Sequence, residues 1–291
     1  MNPITPSELV LSAEGSIYHL DLRPEQIAHT VLLVGDPGRV PRVSKYFDRI
    51  DFTVQHREFV THTGELGGQR ISVVSTGIGT DNIDIVVNEL DALVNIDFKS
   101  RTIKEKLTSL NIIRLGTSGS LSKNIGVDDV VISAWGIGLD NLLTYYISWQ
   151  PSEAEERMQH EFTAFAAKLG VGLRPYAAQG SEVLLKKIGE GLTQGITLTC
   201  SGFYGPQGRN LRLKSIFNPS FFEQVGGFTS EGFPITNFEM ETSAIFGLAK
   251  MLGHRALSCN AVLANRVAHE FSPNPAAAVE NLIQQILQKV A

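Results

Sequence analysis

Apolar positions along the chain fall into two alternating kinds of run. Short, mostly apolar stretches occur at Val31–Val34, Ile71–Ser75, Ile112–Leu115, Val130–Ala134, Thr197–Cys200 and Asn260–Ala264. Runs of this length predict strands buried on both faces, in a parallel or mixed sheet covered by helices. Between them, apolar residues recur every three or four positions. After Asp81, a predicted N-cap, come Ile83, Val86, Val87, Leu90, Leu93 and Val94. Phe162, Phe165, Ala166 and Leu169 form a second such stripe. Ala244, Ile245, Leu248, Met251 and Leu252 form a third, with Gly253 as its predicted C-cap. Val279, Leu282, Ile283, Ile286, Leu287 and Val290 form the last. Strand–helix alternation predicts a single α/β sandwich. With no internal repeat, low-complexity tract or linker, the expected organisation is one domain over 1–291. The polar segment Phe98–Leu110 between two core elements reads as a surface insertion.

Composition narrows the class without naming it. Charged residues make up 19% and apolar residues 43%, which excludes a disordered polyelectrolyte. With 25 Lys+Arg against 30 Asp+Glu, the net charge of −5 carries no footprint for nucleic acid or an anionic membrane. Two cysteines, Cys200 and Cys259, exclude a disulfide framework or a Cys-rich zinc site and fit a reducing cytosol. The absence of Lys or Arg before Arg23, and of an apolar run there, argues against a signal peptide; a cytoplasmic location is expected. No apolar run is long enough for a bilayer-spanning helix.

Common cofactor motifs fail on inspection. Gly77-Ile78-Gly79 begins like a dinucleotide fingerprint, but Asn82 stands where the third glycine belongs. No Gly-Lys-Ser/Thr occurs. Gly116-Thr117-Ser118-Gly119 is not a nucleophile elbow. The seven histidines show no metal-ligand spacing, so no metal is expected.

Three constellations survive. Glycine-rich segments follow three strands: Gly35-Asp36-Pro37-Gly38-Arg39, Thr76-Gly77-Ile78-Gly79-Thr80 and Gly116-Thr117-Ser118-Gly119. Arg39, Arg114 and, in His56-Arg57-Glu58-Phe59, Arg57 lie close to them. Ligands of α/β sheets bind at the carboxyl ends of strands, where glycines admit an anion to backbone N–H groups and arginines fork onto its oxygens. Thr117 adds a hydroxyl. This suits free phosphate; the same residues equally read as turns and solvated arginines. Glu239-Met240-Glu241 offers carboxylates for the paired hydroxyls of a ribose, or simply acids at a helix N-terminus. Phe203-Tyr204-Gly205-Pro206-Gln207-Gly208-Arg209 offers an aromatic, an amide and a guanidinium for a flat heterocycle, or an ordinary surface loop.

In this order, and joined by Tyr18-His19-Leu20 and Asn265-Arg266, these segments resemble the nucleoside phosphorylase superfamily, within it the uridine phosphorylases. The resemblance runs over most of the chain and implies an αβα sandwich with a central mixed sheet. It implies reversible conversion of uridine and phosphate to uracil and ribose 1-phosphate, with phosphate as co-substrate and no cofactor. Gly35, Arg39, Arg114 and Thr117 would hold phosphate, with Arg57 lent by a neighbouring subunit. Glu239, Met240 and Glu241 would hold ribose, with His19 of the neighbour on the 5′-hydroxyl. Phe203, Gln207 and Arg209 would hold the base, with Ile78 and Leu263 as walls. Arg114, Gln207, Arg209 and Glu241 would carry catalysis. At least a homodimer with shared sites is implied, dimer or hexamer being open, with nucleoside and phosphate as partners and neither nucleic acid nor membrane. A nucleoside hydrolase, a purine nucleoside phosphorylase or a non-catalytic nucleoside binder on the same fold are the alternatives. The arginine set argues against the hydrolase and the full pocket against the binder. Purine relatives carry an acid near Asn265, which an amide cannot replace. A monovalent cation, bound in some relatives near residues like Glu58 and Ile78, is not expected, because Asn82 stands in place of their serine.

Overall fold

The structure, a computed structural model, describes residues 2–217 and 219–291. From Thr30 the chain runs through β1 (Thr30–Val34), α1 (Arg39–Ser44), β2 (Arg49–His56), β3 (Phe59–Leu66), β4 (Gln69–Ser75) and α2 (Thr80–Asn95). A small hairpin of β5 (Ile96–Asp97) and β6 (Thr102–Ile103) leads to β7 (Asn111–Ser120) and β8 (Val130–Gly138). Then come α3 (Glu153–Lys168), β9 (Tyr176–Gln179), α4 (Glu182–Ile188), β10 (Thr193–Thr199), α5 (Pro219–Val225), β11 (Thr229–Ser230) and β12 (Phe233–Glu239). The chain closes with α6 (Thr242–Leu252), β13 (Arg255–Asn265), β14 (Glu270–Phe271) and α7 (Pro275–Val290).

One mixed sheet organises these elements, in the order β11-β12-β10-β8-β13-β7-β1-β4-β3-β2, with β9 beside β8 and β14 beside β13. β1 is parallel to β4 and β7, and β7 to β13, whereas β8 runs antiparallel to β13. The end of β7 also pairs with β12, Asn237 opposite Ser120 and Phe238 opposite Gly119. That extra pairing closes β7, β13, β8, β10 and β12 into a ring.

Strand alternation divides the core between two helical layers. Val31 and Leu33 of β1 face α2 and α6, packing with Ile83, Leu90, Ile245 and Leu248. Leu32 and Val34 face the other way, onto α1 and α7, packing with Val40, Val43, Leu282 and Ile286. A third cluster joins Met158 and Phe162 of α3 to Trp135, Ile196 and Leu198 of the sheet. The chain is therefore an αβα sandwich, and burial on both faces explains why its central strands lack polar alternation. Local chemistry sets the helix ends. Ser152 and Glu155 form a reciprocal capping box at α3, and Gly253 takes a left-handed φ of 77° beyond α6. No helix among the described residues is long and apolar enough to cross a membrane.

Three expectations need correction. Asp81 is not the cap of α2: Gly79 is, at φ 98°, and Asp81 falls in the first helical turn. The predicted strands are each longer than their apolar cores, β7 and β13 most of all. Strands β3 and β12 escape the apolar pattern because polar residues are buried in them, β2 because it is a largely exposed edge strand, and β9 because it is only four residues long. Thr63 bonds Ser72 at 2.6 Å inside the sheet, and Thr197 donates to Asn237 Oδ1 at 2.7 Å. Segment 98–110 is not merely an insertion on the surface. Arg101 Nε donates to Ile4 O at 2.8 Å, tying down the N-terminal segment, and Leu110 is fully buried.

Candidate active site

The parallel strands β1, β4, β7 and β13 end on one edge of the sheet, so the segments after β1 and β4 and the last residues of β7 and β13 converge there. Gly116-Thr117-Ser118-Gly119, expected after its strand, lies within β7 because pairing with β13 extends through it. Between those segments lies a cavity of about 850 Å³, a size that suits a small organic ligand. Gly35, Arg39, Arg114, Thr117, Phe203, Gln207, Arg209, Glu239, Met240 and Glu241 all line it, with Ile78 and Leu263 as further walls. Residues as far apart in sequence as Gly35 and Leu263 thus meet at one place.

Cations gather at one end. Arg114 projects from β7 and is only 5% exposed. Its Nη2 donates to Glu241 Oε2, its Nη1 donates to Asn260 Oδ1 at 3.3 Å, and its Nε lies 3.9 Å from Glu239 Oε2. Arg39 stands at the start of α1 and donates through Nη1 to Leu115 O at 3.0 Å. Burial first, then the charge of Arg114, lowers its pKa to about 10. Arg39 is still cationic at neutral pH, and an anion placed by both arginines would relieve their mutual repulsion. Gly116 makes room for this arrangement. A Cβ there would stand 1.4 Å from Arg114 Nη1.

Carboxylates lie beside them, where β12 gives way to α6. Glu239 accepts from Thr199 Oγ1 at 2.9 Å and from the N–H groups of Glu241 and Thr242 at 3.0 Å. Burial raises its pKa to about 7; Arg114 opposes the rise and Glu241 adds to it. Glu241 Oε1 accepts from the N–H of Gly79, the cap of α2, at 2.8 Å. Glu241 therefore sits at the positive end of α2 and beside a guanidinium.

The third wall is the 203–209 loop. Gly208, at φ 67°, turns the chain so that Arg209 folds back. Its guanidinium lies 3.7 Å from the Phe203 ring centroid, donates to Phe203 O at 2.7 Å and also donates to Gln207 Oε1. Burial, then Arg266, lowers the Arg209 pKa to about 10. Gln207 is buried, its backbone carbonyl accepts from Arg266 Nη1 at 3.3 Å, and its side-chain Oε1 accepts from Arg209. The Gln207 amide thus arrives pre-oriented, with Nε2 free to donate and one Oε1 lone pair free to accept.

A family model described as the phosphorylase superfamily matches residues 29–291. The chain belongs to the phosphorylase superfamily. Among curated members it is 33% identical to the uridine phosphorylase of Thermococcus kodakarensis, over 89% of this chain and 80% of that protein. It is 28% identical to the uridine phosphorylase of Haemophilus influenzae, over 90% of this chain and 91% of that protein. Among solved structures it resembles a nucleoside phosphorylase of Trypanosoma brucei described as showing uridine phosphorylase activity. That likeness has a TM-score of 0.85 and 29% identity, covering 97% of this chain and 99% of the other.

His19 and Arg57, expected to act in a neighbouring subunit's site, do not line the cavity of their own chain. His19 Nδ1 pairs with Glu89 Oε1 at 2.6 Å, and the Arg57 guanidinium lies 5.4 Å from the Tyr18 ring centroid. His56 Nδ1 meets the His19 carbonyl at 3.0 Å, so these residues form a cluster of their own. Arg57 presents its side chain from the β2–β3 turn at φ 54°. Asn265 does not line the cavity either; its amide clips loops together. It donates to Ser122 O and Ile125 O and accepts from the N–H groups of Val267 and Ala268, all within 3.0 Å. Sequence reasoning gave no role to Asn260, the wholly buried partner of Arg114. The signal was an amide in the middle of an otherwise small and apolar strand.

Proposed function

We propose that this protein catalyses the reversible phosphorolysis of uridine to uracil and ribose 1-phosphate. The observation that carries the reading is one cavity with paired arginines at one end and a Gln–Arg base reader at the other, joined by Glu239-Met240-Glu241. The sequence relatives named uridine phosphorylase support it. Gly35, Arg39, Arg114 and Thr117 hold phosphate. Glu239 and Glu241 accept from the ribose hydroxyls, and Met240 lies against the sugar. The uracil edge has two carbonyls flanking an N–H. Gln207 accepts from that N–H and donates to one carbonyl, and Arg209 donates to the other. Phe203 supplies an apolar ring beside the base.

The chemistry follows from charge. As the C1′–N1 bond breaks, its electron pair leaves with uracil and the ribose becomes cationic. A phosphate oxygen then bonds to C1′. The proton left on phosphate passes through solvent to the departing base, so atoms and charge balance. Gln207 and Arg209 stabilise the negative charge growing on uracil, and phosphate held by Arg39 and Arg114 stabilises the ribosyl cation. Inorganic phosphate is the co-substrate; no cofactor enters.

The site is completed by a second copy of the chain, in a dimer or a larger ring. His19 then reaches the 5′-hydroxyl and Arg57 the phosphate of the neighbouring site. Their position outside the cavity of their own chain supports this. The whole chain works as one domain, supported by a single sheet running from β2 to β11. The buried free thiols of Cys200 and Cys259 support a reducing, cytoplasmic setting. Assaying uracil release from uridine with and without phosphate tests the proposal. Release only with phosphate is expected; equal release without phosphate identifies a hydrolase, and no release a binding protein.

A further inference from the structure

Asn260 does not line the cavity, yet it is wholly buried and its amide meets Arg114, which does. Its Oδ1 accepts from Arg114 Nη1 at 3.3 Å. The far side of the amide is also held: Nδ2 donates to Ser258 Oγ at 3.2 Å, and that hydroxyl accepts from Thr242 Oγ1 at 2.8 Å. Thr242 is the first residue of α6, and its N–H bonds Glu239. A chain of hydrogen bonds therefore runs from the start of α6 through Ser258 and Asn260 to Arg114, and back through Glu241.

Strand geometry explains why these groups meet. β13 and β7 are parallel neighbours, with Ser258 opposite Arg114 and Asn260 opposite Gly116. Ser258 and Asn260, two apart, point to the same face of the strand. Gly116 leaves open the space in which guanidinium and amide touch. A methyl there would stand 1.4 Å from Arg114 Nη1 and 2.5 Å from Asn260 Oδ1. Turning the amide over would set its NH₂ against the guanidinium, donor against donor, so only one orientation of Asn260 serves.

Without Asn260, Arg114 answers only to carboxylates. Glu241 accepts from Nη2, and Glu239 lies 3.9 Å from Nε. Both attractions draw the cation toward the Glu239-Met240-Glu241 segment. The Asn260 oxygen holds Nη1 in another direction and, being neutral, consumes none of the positive charge that an incoming anion needs. We propose that Asn260 is a positioning residue, a neutral anchor that holds the Arg114 guanidinium in the orientation that receives phosphate. The proposal rests on the reading of Arg114 as a phosphate ligand.

The test separates the two. Inorganic phosphate is titrated calorimetrically, without nucleoside, into the unmodified protein and into Arg114→Ala, Asn260→Ala and Asn260→Asp. The phosphate KM and uridine KM of each are measured alongside. Asn260→Ala is expected to weaken phosphate binding about tenfold, the low end for a bond to a charged group. Its phosphate KM should rise in step while the uridine KM moves less than about twofold. Asn260→Asp should weaken phosphate further, because a third carboxylate around Arg114 repels the anion even though an acceptor is restored. A purely structural role would lower thermal stability and leave phosphate affinity alone. Unmodified phosphate affinity in both Asn260 variants, with affinity lost in Arg114→Ala, overturns this proposal and spares the phosphate site. Unchanged affinity in Arg114→Ala overturns both. If Asn260→Ala does not fold, Ser258→Ala decides, since it frees the amide to rotate. Weaker phosphate binding is expected there too, and unchanged affinity again overturns the proposal.

Discussion

Replacing Gly116 by alanine adds one methyl group at the centre of the site. Gly116 has no left-handed φ, so the substitution introduces no backbone strain there; its whole effect is steric. The new Cβ would lie 1.4 Å from Arg114 Nη1 and 2.6 Å from its Cζ, where real Cβ atoms essentially never come within 3.0 Å. The backbone of β7 is held here by β13, with Asn260 opposite Gly116, and by β1 as far as Arg114, so the side chain yields more readily than the strand. The guanidinium must therefore leave its place and give up Asn260. A phosphate held there loses one or two charge-assisted hydrogen bonds, each contributing about 1.5–3 kcal/mol. At 1.4 kcal/mol per factor of ten, kcat/KM for phosphate should fall about a hundredfold. The assay is uridine phosphorolysis at varied phosphate, run beside Arg114→Ala and the double variant. Once Arg114 is alanine the closest clash is gone and the nearest remaining atom is the end of the Asn260 side chain at 2.5 Å, which has the vacated space to move into, so Gly116→Ala should cost less than about threefold in that background. Gly116→Ala with unmodified phosphate kinetics, or costs that multiply fully in the double variant, would refute the reasoning.

Other expectations follow from the same cavity. Arg209→Ala should lower kcat for uridine more than it raises KM, since the guanidinium acts on charge that develops as uracil leaves; inosine turning over faster than uridine in the unmodified protein would refute the uracil reading. Glu239 has a folded pKa raised by burial from 4.5 to about 7, so the folded chain binds the extra proton between those values. Its contribution to stability is present below about pH 4.5 and is lost as pH rises through about 7; thermal melts should show this slope in the unmodified protein and a flatter one in Glu239→Gln. Arg57→Ala and Glu241→Ala should each be inactive alone. Refolded together, half of the dimers are mixed and each mixed dimer keeps one intact site, so about a quarter of the activity should return; mixed dimers that stay inactive would show that Arg57 serves its own chain.

Much of the fold was legible in the chain itself. Short apolar runs marked the central strands because a sheet covered on both faces excludes polar side chains from its middle. The stripe from Ile83 to Leu93 marked α2 because one face of a helix must match that sheet. The chemical types of the site residues were legible too: glycines with arginines, paired acids, and an aromatic–amide–guanidinium loop each narrow the ligand they can bind. Each remained ambiguous alone, since an acid at a helix start or an arginine near a turn is ordinary surface chemistry. What the tertiary structure added is their meeting: Arg114 and Glu241 touch across 127 positions at the edge where parallel strands end. It also decided what no spacing could show. The Arg114 guanidinium fills the space that Gly116 leaves, and the buried amide of Asn260 accepts a hydrogen bond from it. Asn265 is spent on loop backbone, and His19 and Arg57 stand outside their own cavity. The physical reason is the same in each case: periodicity records whether a side chain meets water or core. Which other side chain it meets depends on strand order and register, which long-range packing sets.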